Sequence, residues 1–564
     1  MGNRPLRASA SIVTVNDAAT WLSQIVMFLV LGLLITPTRL LTYALPAAGA
    51  AELVGVDGLA MRGEVAVRVN TTGRQISERI ATGGDDVIVG FGAGQEHYAR
   101  LQAGNLLLDI DGFVVAGGSL VLEKFTTSGA ADVIGPNNTA GADGIRDVVD
   151  TELRIGIRLF DAFIGAGNGT AGATGLRFGD GALGIVVFNQ VNQAVPLQEP
   201  SRYAVKGRLG ASDLVGVDGV TLSTRNLAVE INRTGSDLDG VLVDLGDGSR
   251  IDMRFASAAN LTRAAGAATI GVLDFVYIQA SISVEKTDVR SGRDLLGANN
   301  APGPDGIDDR IDSEIRFGAT VESAFIGTGR GTAAEVGLKL ADGTLGLVVF
   351  KTTDQNLATQ AASRFAVKGT MGEVALVGVD GLTLSSNDLR VEVNRTGQEL
   401  AGVLVATGPG GADIDMGFGS TADITRAAGA ITLQLRDILD LQASMSFEKT
   451  EVSSGNDAIG PGNTVGADGV DDRIDTELRI GLRLNAMPLA STAGNANDLR
   501  LKLSGGSLGL IVFTTVDQSL ATQAPAQYAF KGTVDAASLT GVDGLSLFIS
   551  SVGVEVNRSD RALT

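Results

Sequence analysis

The sequence predicts an all-β protein, with tandem repeats of antiparallel β-meander units forming an elongated array. Three observations lead there. A marker segment recurs at nearly constant spacing, apolar and polar residues alternate at a period of two, and Asp-Gly or Gly-Gly pairs punctuate the apolar runs.

The marker is LVGVDGL at Leu53, answered by LVGVDGV at Leu214, LVGVDGL at Leu376 and LTGVDGL at Leu539, giving spacings of 161, 162 and 163 residues. Other segments keep that offset: VRVNTTG at Val67, VEINRTG at Val229, VEVNRTG at Val391 and VEVNRS at Val554. LGIVVF at Leu183, LGLVVF at Leu345 and LGLIVF at Leu508 do the same. Compositional bias alone does not hold register over so many points. The chain therefore divides into repeats at 53–213, 214–375 and 376–538, a truncated fourth at 539–564, and an apolar segment at 1–52. The fourth copy stops just after its VEVNR strand without an atypical capping repeat, so the sequence is expected to be a fragment of something longer.

Within a repeat the period is two. Ser281 and Ser283 face one way while Ile282 and Val284 face the other, and Ser444 and Ser446 alternate with Met445 and Phe447 in the same manner. This is the pattern of a half-buried strand. Asp180-Gly181, Asp342-Gly343 and Gly505-Gly506 read as two-residue hairpin turns, and Asn232–Gly235 and Asn394–Gly397 as longer ones. Such a meander buries one face only against a second layer or a neighbouring unit.

Composition agrees. Aromatic residues are 4% of the chain, so a core must be built from Val, Ile, Leu and Ala, and 76 Gly against 12 Pro favour tight turns. The net charge of −20 disfavours nucleic acid. With no Cys there is neither a disulfide nor thiol chemistry, and one histidine, His97, removes most His-dependent catalysis. In the segment 1–52, Arg4 and Arg7 precede an apolar run, Ile25–Ile35, that Pro37 ends. That length fits a signal peptide or anchor. Equally, Tyr43-Ala44 precedes Leu53 much as Tyr203-Ala204 precedes Leu214, which fits a truncated repeat.

The candidate site is one acidic loop per complete repeat. Its shared carboxylates are Asp143, Asp147, Asp150 and Glu152 in the first copy. In the second they are Asp305, Asp309, Asp312 and Glu314, with Asp308 added, and in the third Asp468, Asp472, Asp475 and Glu477, with Asp471 added. Carboxylates this close repel one another unless a cation intervenes, and calcium accepts six to eight oxygens in irregular geometry. The loops are expected to hold Ca2+; the plain alternative is a solvated turn before a charged strand. The Asp of GVDG (Asp57, Asp218, Asp380 and Asp543) reads as a turn residue. Gly83–Val89 matches one turn of a calcium β-roll but stands alone. No nucleophile motif, phosphate loop or dinucleotide fingerprint is present, and an enzyme is not expected.

VGVDGLTLS from Val377, VEVNRTG from Val391, LQASMSFEKT from Leu441 and DGVDDRIDTELRIGL from Asp468 resemble repeats of very large bacterial surface or secreted, adhesin-like proteins. The resemblance covers residues 53–564 and implies export, great length and a structural or adhesive role. The implied partners are neighbouring repeats of a longer chain and a cell-surface or matrix ligand. The second functional reading is an apolar-ligand or lipid-binding β-groove, suggested by the mostly apolar run Ala267–Val284.

Overall fold

The computed structural model describes residues 49–53, 59–128, 148–192, 201–273, 275–290, 310–354, 362–435, 439–453, 473–485, 500–517, 525–542 and 545–559. The segment before residue 49, with Trp21 and the apolar run, lies outside them. So do Asp57, Asp543 and most of each acidic loop.

The fold is all-β, as predicted. Among the described residues twenty-one strands form one sheet, and three short hairpins stand apart from it. The sheet is an antiparallel meander in chain order. In the second repeat, strand Val220–Arg233 pairs with Asn260–Val272, then Val276–Arg290, Arg310–Thr328, Val336–Asp354 and Arg364–Val377 follow, each pairing with the one before it. Leu382–Arg395 opens the third repeat against Arg364–Val377. The two ends of the sheet differ. At one, tight turns such as 111–113 and 217–219 join the strands; Asp218 and Asp380 sit in these turns, where the Val220 and Leu382 amides donate to the Val217 and Val379 carbonyls. At the other lie the strand ends that flank the acidic loops in sequence, and the departures of the three hairpins.

Each hairpin follows the Asn-x-Thr-Gly segment. Asn232, fully buried, accepts from the Thr234 amide at 3.0 Å and hydroxyl at 2.7 Å, and its Nδ2 donates to the Ser236 and Ser257 carbonyls at 3.0 Å each. This clamps the two legs of the hairpin 238–255. Asn394 does the same for the hairpin 400–418, and Asn70 for the hairpin 76–91.

From that clamp the second hairpin folds back over the preceding repeat. Its Leu238, Val241, Val243, Met253 and Phe255 pack on Val186 and Phe188 of strand Gly181–Asn192 and Ala204 of Arg202–Val215. The third hairpin repeats this, setting Leu400, Val405, Met416 and Phe418 on Val348, Phe350 and Ala366. The packed unit thus straddles the marker-defined boundary, since the hairpin after Leu214 covers strands before it. Met416 fills this core and is fully buried. Met416→Ala is expected to cost about 2–4 kcal/mol, read as a lower denaturant midpoint for the second repeat's strands.

Glycines allow the close approach. A Cβ on Gly156 or Gly318 would run into the backbone carbonyl of Asp244 or Ala406, and one on Gly346 would come 2.9 Å from Met416 Sδ. The third repeat carries Gly481 and Gly509 at these positions, and among the described residues no hairpin lies over them. There Ile511 and Ala529 are half-buried, whereas their counterparts Val348 and Ala366 are 0% exposed.

The structure completes one sequence reading and changes another. It is the serine face that is buried: Ser281 and Ser283 are 8% and 4% exposed beneath the third hairpin, while Val284 is 40% exposed. Ser444 and Ser446, without a hairpin above, are exposed. The Asp-Gly pairs are not hairpin turns. Asp342 has φ +53° and Gly505 φ +68°, and both lie within single continuous strands, Val336–Asp354 and Arg500–Asp517. Positive φ here kinks a strand that keeps both neighbours.

Candidate functional site

The described part of each acidic loop is its last few residues. Asp143, Asp147, Asp305, Asp308, Asp309, Asp468, Asp471 and Asp472 lie outside the described residues. Asp150, Asp312 and Asp475 fall near the first residues of strands Val148–Ala166, Arg310–Thr328 and Arg473–Leu484. Glu152, Glu314 and Glu477 come two residues later in the same strands.

These three glutamates are already matched by cations. Arg154 Nε donates to Glu152 at 2.6 Å and Arg316 Nε to Glu314 at 2.7 Å, and Arg479 pairs with Glu477. A Glu-x-Arg spacing places both side chains on one face of a strand. The sequence carried this signal in Glu152-Leu153-Arg154, Glu314-Ile315-Arg316 and Glu477-Leu478-Arg479, but only the carboxylates stood out as candidates.

The pairs are the ends of longer ladders of alternating charge on the hairpin face. Lys206 meets Glu230 at 3.5 Å, Glu230 meets Arg263 at 3.1 Å, Arg263 meets Glu285 at 2.5 Å and Glu285 meets Arg316 at 3.9 Å. One repeat later Lys368, Glu392, Arg426, Glu448 and Arg479 follow the same order. In the first repeat Arg100 bridges Glu123 at 2.7 Å and Asp244 of the second hairpin at 3.2 Å. Apart from the buried Glu123, Glu152 and Glu314, these side chains are partly exposed, so each exposed pair contributes at most about 1 kcal/mol. Their greater effect is on register, because a one-residue slip would place like charges opposite one another or move them to the other face.

Other contacts fix the hairpin tips. Ser119 Oγ donates to the Leu245 carbonyl at 2.7 Å and Gln102 Nε2 to that of Gly246 at 3.0 Å. Lys206 and Lys368 place their ammonium groups 4.7 and 4.8 Å from the ring centroids of Phe255 and Phe418. At the exposed tip, Asp247 accepts from the Ser249 hydroxyl and amide, which holds its carboxyl below the usual range. The β-roll match, Gly83–Val89, spans the turn of the first hairpin after Ile76–Ile80 and the start of its second strand, Val87–Phe91. His97 precedes strand Tyr98–Ile110 and receives the Thr126 amide on its carbonyl.

Among the described residues no three His, Cys, Asp or Glu side chains are grouped to hold a metal. The geometry is that of a braced sheet: charge ladders, clamped hairpins and close backbone approach.

No family model matches the chain, and no solved structure matches it. Among curated proteins it is similar over 46 residues to the K(+)/H(+) antiporter NhaP2 of Shewanella sp. (strain ANA-3), at 59% identity, and to that of Shewanella oneidensis, at 56%. It is 53% identical over 47 residues to the K(+)/H(+) antiporter NhaP of Alkalimonas amylolytica. Each match covers 8% of this chain and 8% of the antiporter. Among the described residues no helix is long and apolar enough to cross a membrane.

Proposed function

We propose that the chain is a structural segment of a large exported bacterial protein, a β-scaffold that displays one acidic loop per repeat at one end of its sheet. The observation that carries this reading is that the hairpins of the second and third repeats dock on the strands of the repeat before each. Such coupling makes a mechanically continuous array from units that share cores. Neighbouring repeats are its first partners, and a cell-surface or matrix ligand at the loops is the second. Pulled end to end, the chain should rupture in steps of roughly 55 nm, the contour of one repeat at about 3.4 Å per residue. A smooth, stepless extension would sink the scaffold.

Calcium enters this scaffold through the loop aspartates rather than the glutamates, whose charge the arginines already meet. Metal would relieve the repulsion among the aspartates. Ca2+ at about 1 mM, the range of extracellular modules, should raise the melting temperature, and a chelator should reverse it. Replacing Asp305, Asp309 and Asp312 by Asn should reduce that shift by about a third, as expected for one of three equal sites. A melt indifferent to calcium would remove the metal and leave the scaffold standing.

A further inference from the structure

The face of the sheet opposite the hairpins has no partner among the described residues, and its charged groups, such as Lys286 with Asp288 and Arg395 with Asp423 and Glu451, gather at the loop end and leave the rest of it apolar. In the second repeat Val284, Phe317, Leu347, Val367 and Val393 stand in cross-strand register on five successive strands. Leu122, Ile155, Ile185, Val205 and Ile231 form the same row in the first repeat, and Phe447, Ile480, Leu510, Phe530 and Val556 in the third. Ile155 and Ile185 are buried, but most of this face is half-exposed, and Val67, Val284, Leu345, Val391 and Val554 are each more than a third exposed. An apolar surface of this extent marks an interaction site.

We infer that this face lies against the acyl chains of a lipid bilayer, with the charged, hairpin-covered face turned away from lipid, as in the wall of a transmembrane β-barrel. Four further observations favour lipid over a second protein layer. The apolar stretch has bilayer length: it runs from Val114 to Leu122, and from Val276 to Val284, nine residues each, and a tilted membrane strand needs about 9–11. It ends at the same point in each copy, where Lys124, Lys286 and Lys449 follow on the same face, placed to reach a headgroup. Exposed aromatic rings bound it at both ends: Tyr203, Phe365 and Tyr528 at the loop end, Phe113 and Phe275 in the tight turns. Finally, a meander in chain order with short turns at one end and long loops at the other, polar on one face and apolar on the other, is the plan of an outer-membrane-type barrel. Away from the register shifts, the backbone between paired strands is satisfied inside the sheet, as lipid requires. The inference deepens the export reading and depends on it only for how the chain reaches a membrane.

The chain has no cysteine, so single probes are clean. Leu347→Cys and Asp247→Cys variants of the full chain, each labelled with an environment-sensitive fluorophore, are folded into dilauroylphosphatidylcholine vesicles with and without brominated acyl chains. The chain should float with the vesicles. Brominated lipid should quench the Leu347 label at least about twofold and leave the Asp247 label unchanged. Leu347→Arg should lower vesicle partitioning by at least about tenfold, as for an arginine near the bilayer midplane, while Ser446→Arg on the opposite face should not. Three outcomes overturn the inference: no flotation, equal quenching at both positions, or a lipid-free oligomer that shields Leu347 without bromine quenching. None of them bears on the stepwise rupture that tests the scaffold.

Discussion

Gly318→Ala is expected to cost roughly 3 kcal/mol or more, while Gly481→Ala at the matching site one repeat later costs about 0.5 kcal/mol or less. The asymmetry follows from what lies above each glycine. The new Cβ at Gly318 would enter the space of the Ala406 carbonyl oxygen and crowd Val405, which are backbone and core of a clamped hairpin. Neither can swing away, so the hairpin must lift and expose Val348, Phe350 and Ala366. At Gly481 the nearest obstacle is the Ser446 hydroxyl at 2.7 Å, which rotates freely. Hydrogen exchange reads the result. Fast exchange across strands Val276–Arg290 and Arg310–Thr328 in Gly318→Ala, with wild-type rates in Gly481→Ala, is the expected pattern. Equal costs at both positions would mean that the hairpin does not rest on the glycine.

Asn394→Ala should be the second severe substitution, at about 2–3 kcal/mol. Asn394 is fully buried. Its Oδ1 accepts from the Thr396 amide at 3.1 Å and hydroxyl at 2.7 Å, and its Nδ2 donates to the Gln398 and Ser420 carbonyls at 3.2 Å each. Alanine removes both functions and leaves buried backbone groups without partners. Asn394→Asp separates them, because it keeps the acceptor and loses the donor. Its second carboxylate oxygen, buried and facing the Gln398 and Ser420 carbonyls, should make it at least as unstable as alanine near neutral pH, with partial recovery when the carboxyl is protonated at low pH. Thermal melts of the two variants check this, and an alanine variant as stable as the parent would show that the clamp is incidental.

Much of the fold was legible because it is periodic. The marker spacing gave the repeat, and alternation gave the strands and the meander. Three features were misread or missed for physical reasons. Alternation assigns residues to two faces but does not say which face is covered, and at Ser281–Val284 small residues are needed where a hairpin backbone comes close. Asp-Gly signals positive φ, which serves a kink inside Val336–Asp354 as well as a turn. The hairpins were hidden because their apolar sets, such as Val241, Val243, Met253 and Phe255, are short and broken by polar tips. The Asn-x-Thr before each was visible, but its role depends on a carbonyl about 25 residues away, Ser257 for Asn232. The acidic loops were plain in the sequence, yet their arginine partners lay beyond the loop, on the strand.

A hairpin that completes the repeat behind it also sets an order of events during synthesis. When strands 148–215 have left the ribosome their inner face is still bare, and it closes only after residues 238–255 emerge. Maturation therefore trails elongation by about forty residues, or a few seconds at bacterial rates. Every nascent end exposes one unfinished surface, and a chaperone that shields it would need to recognise a single motif, used again at each repeat.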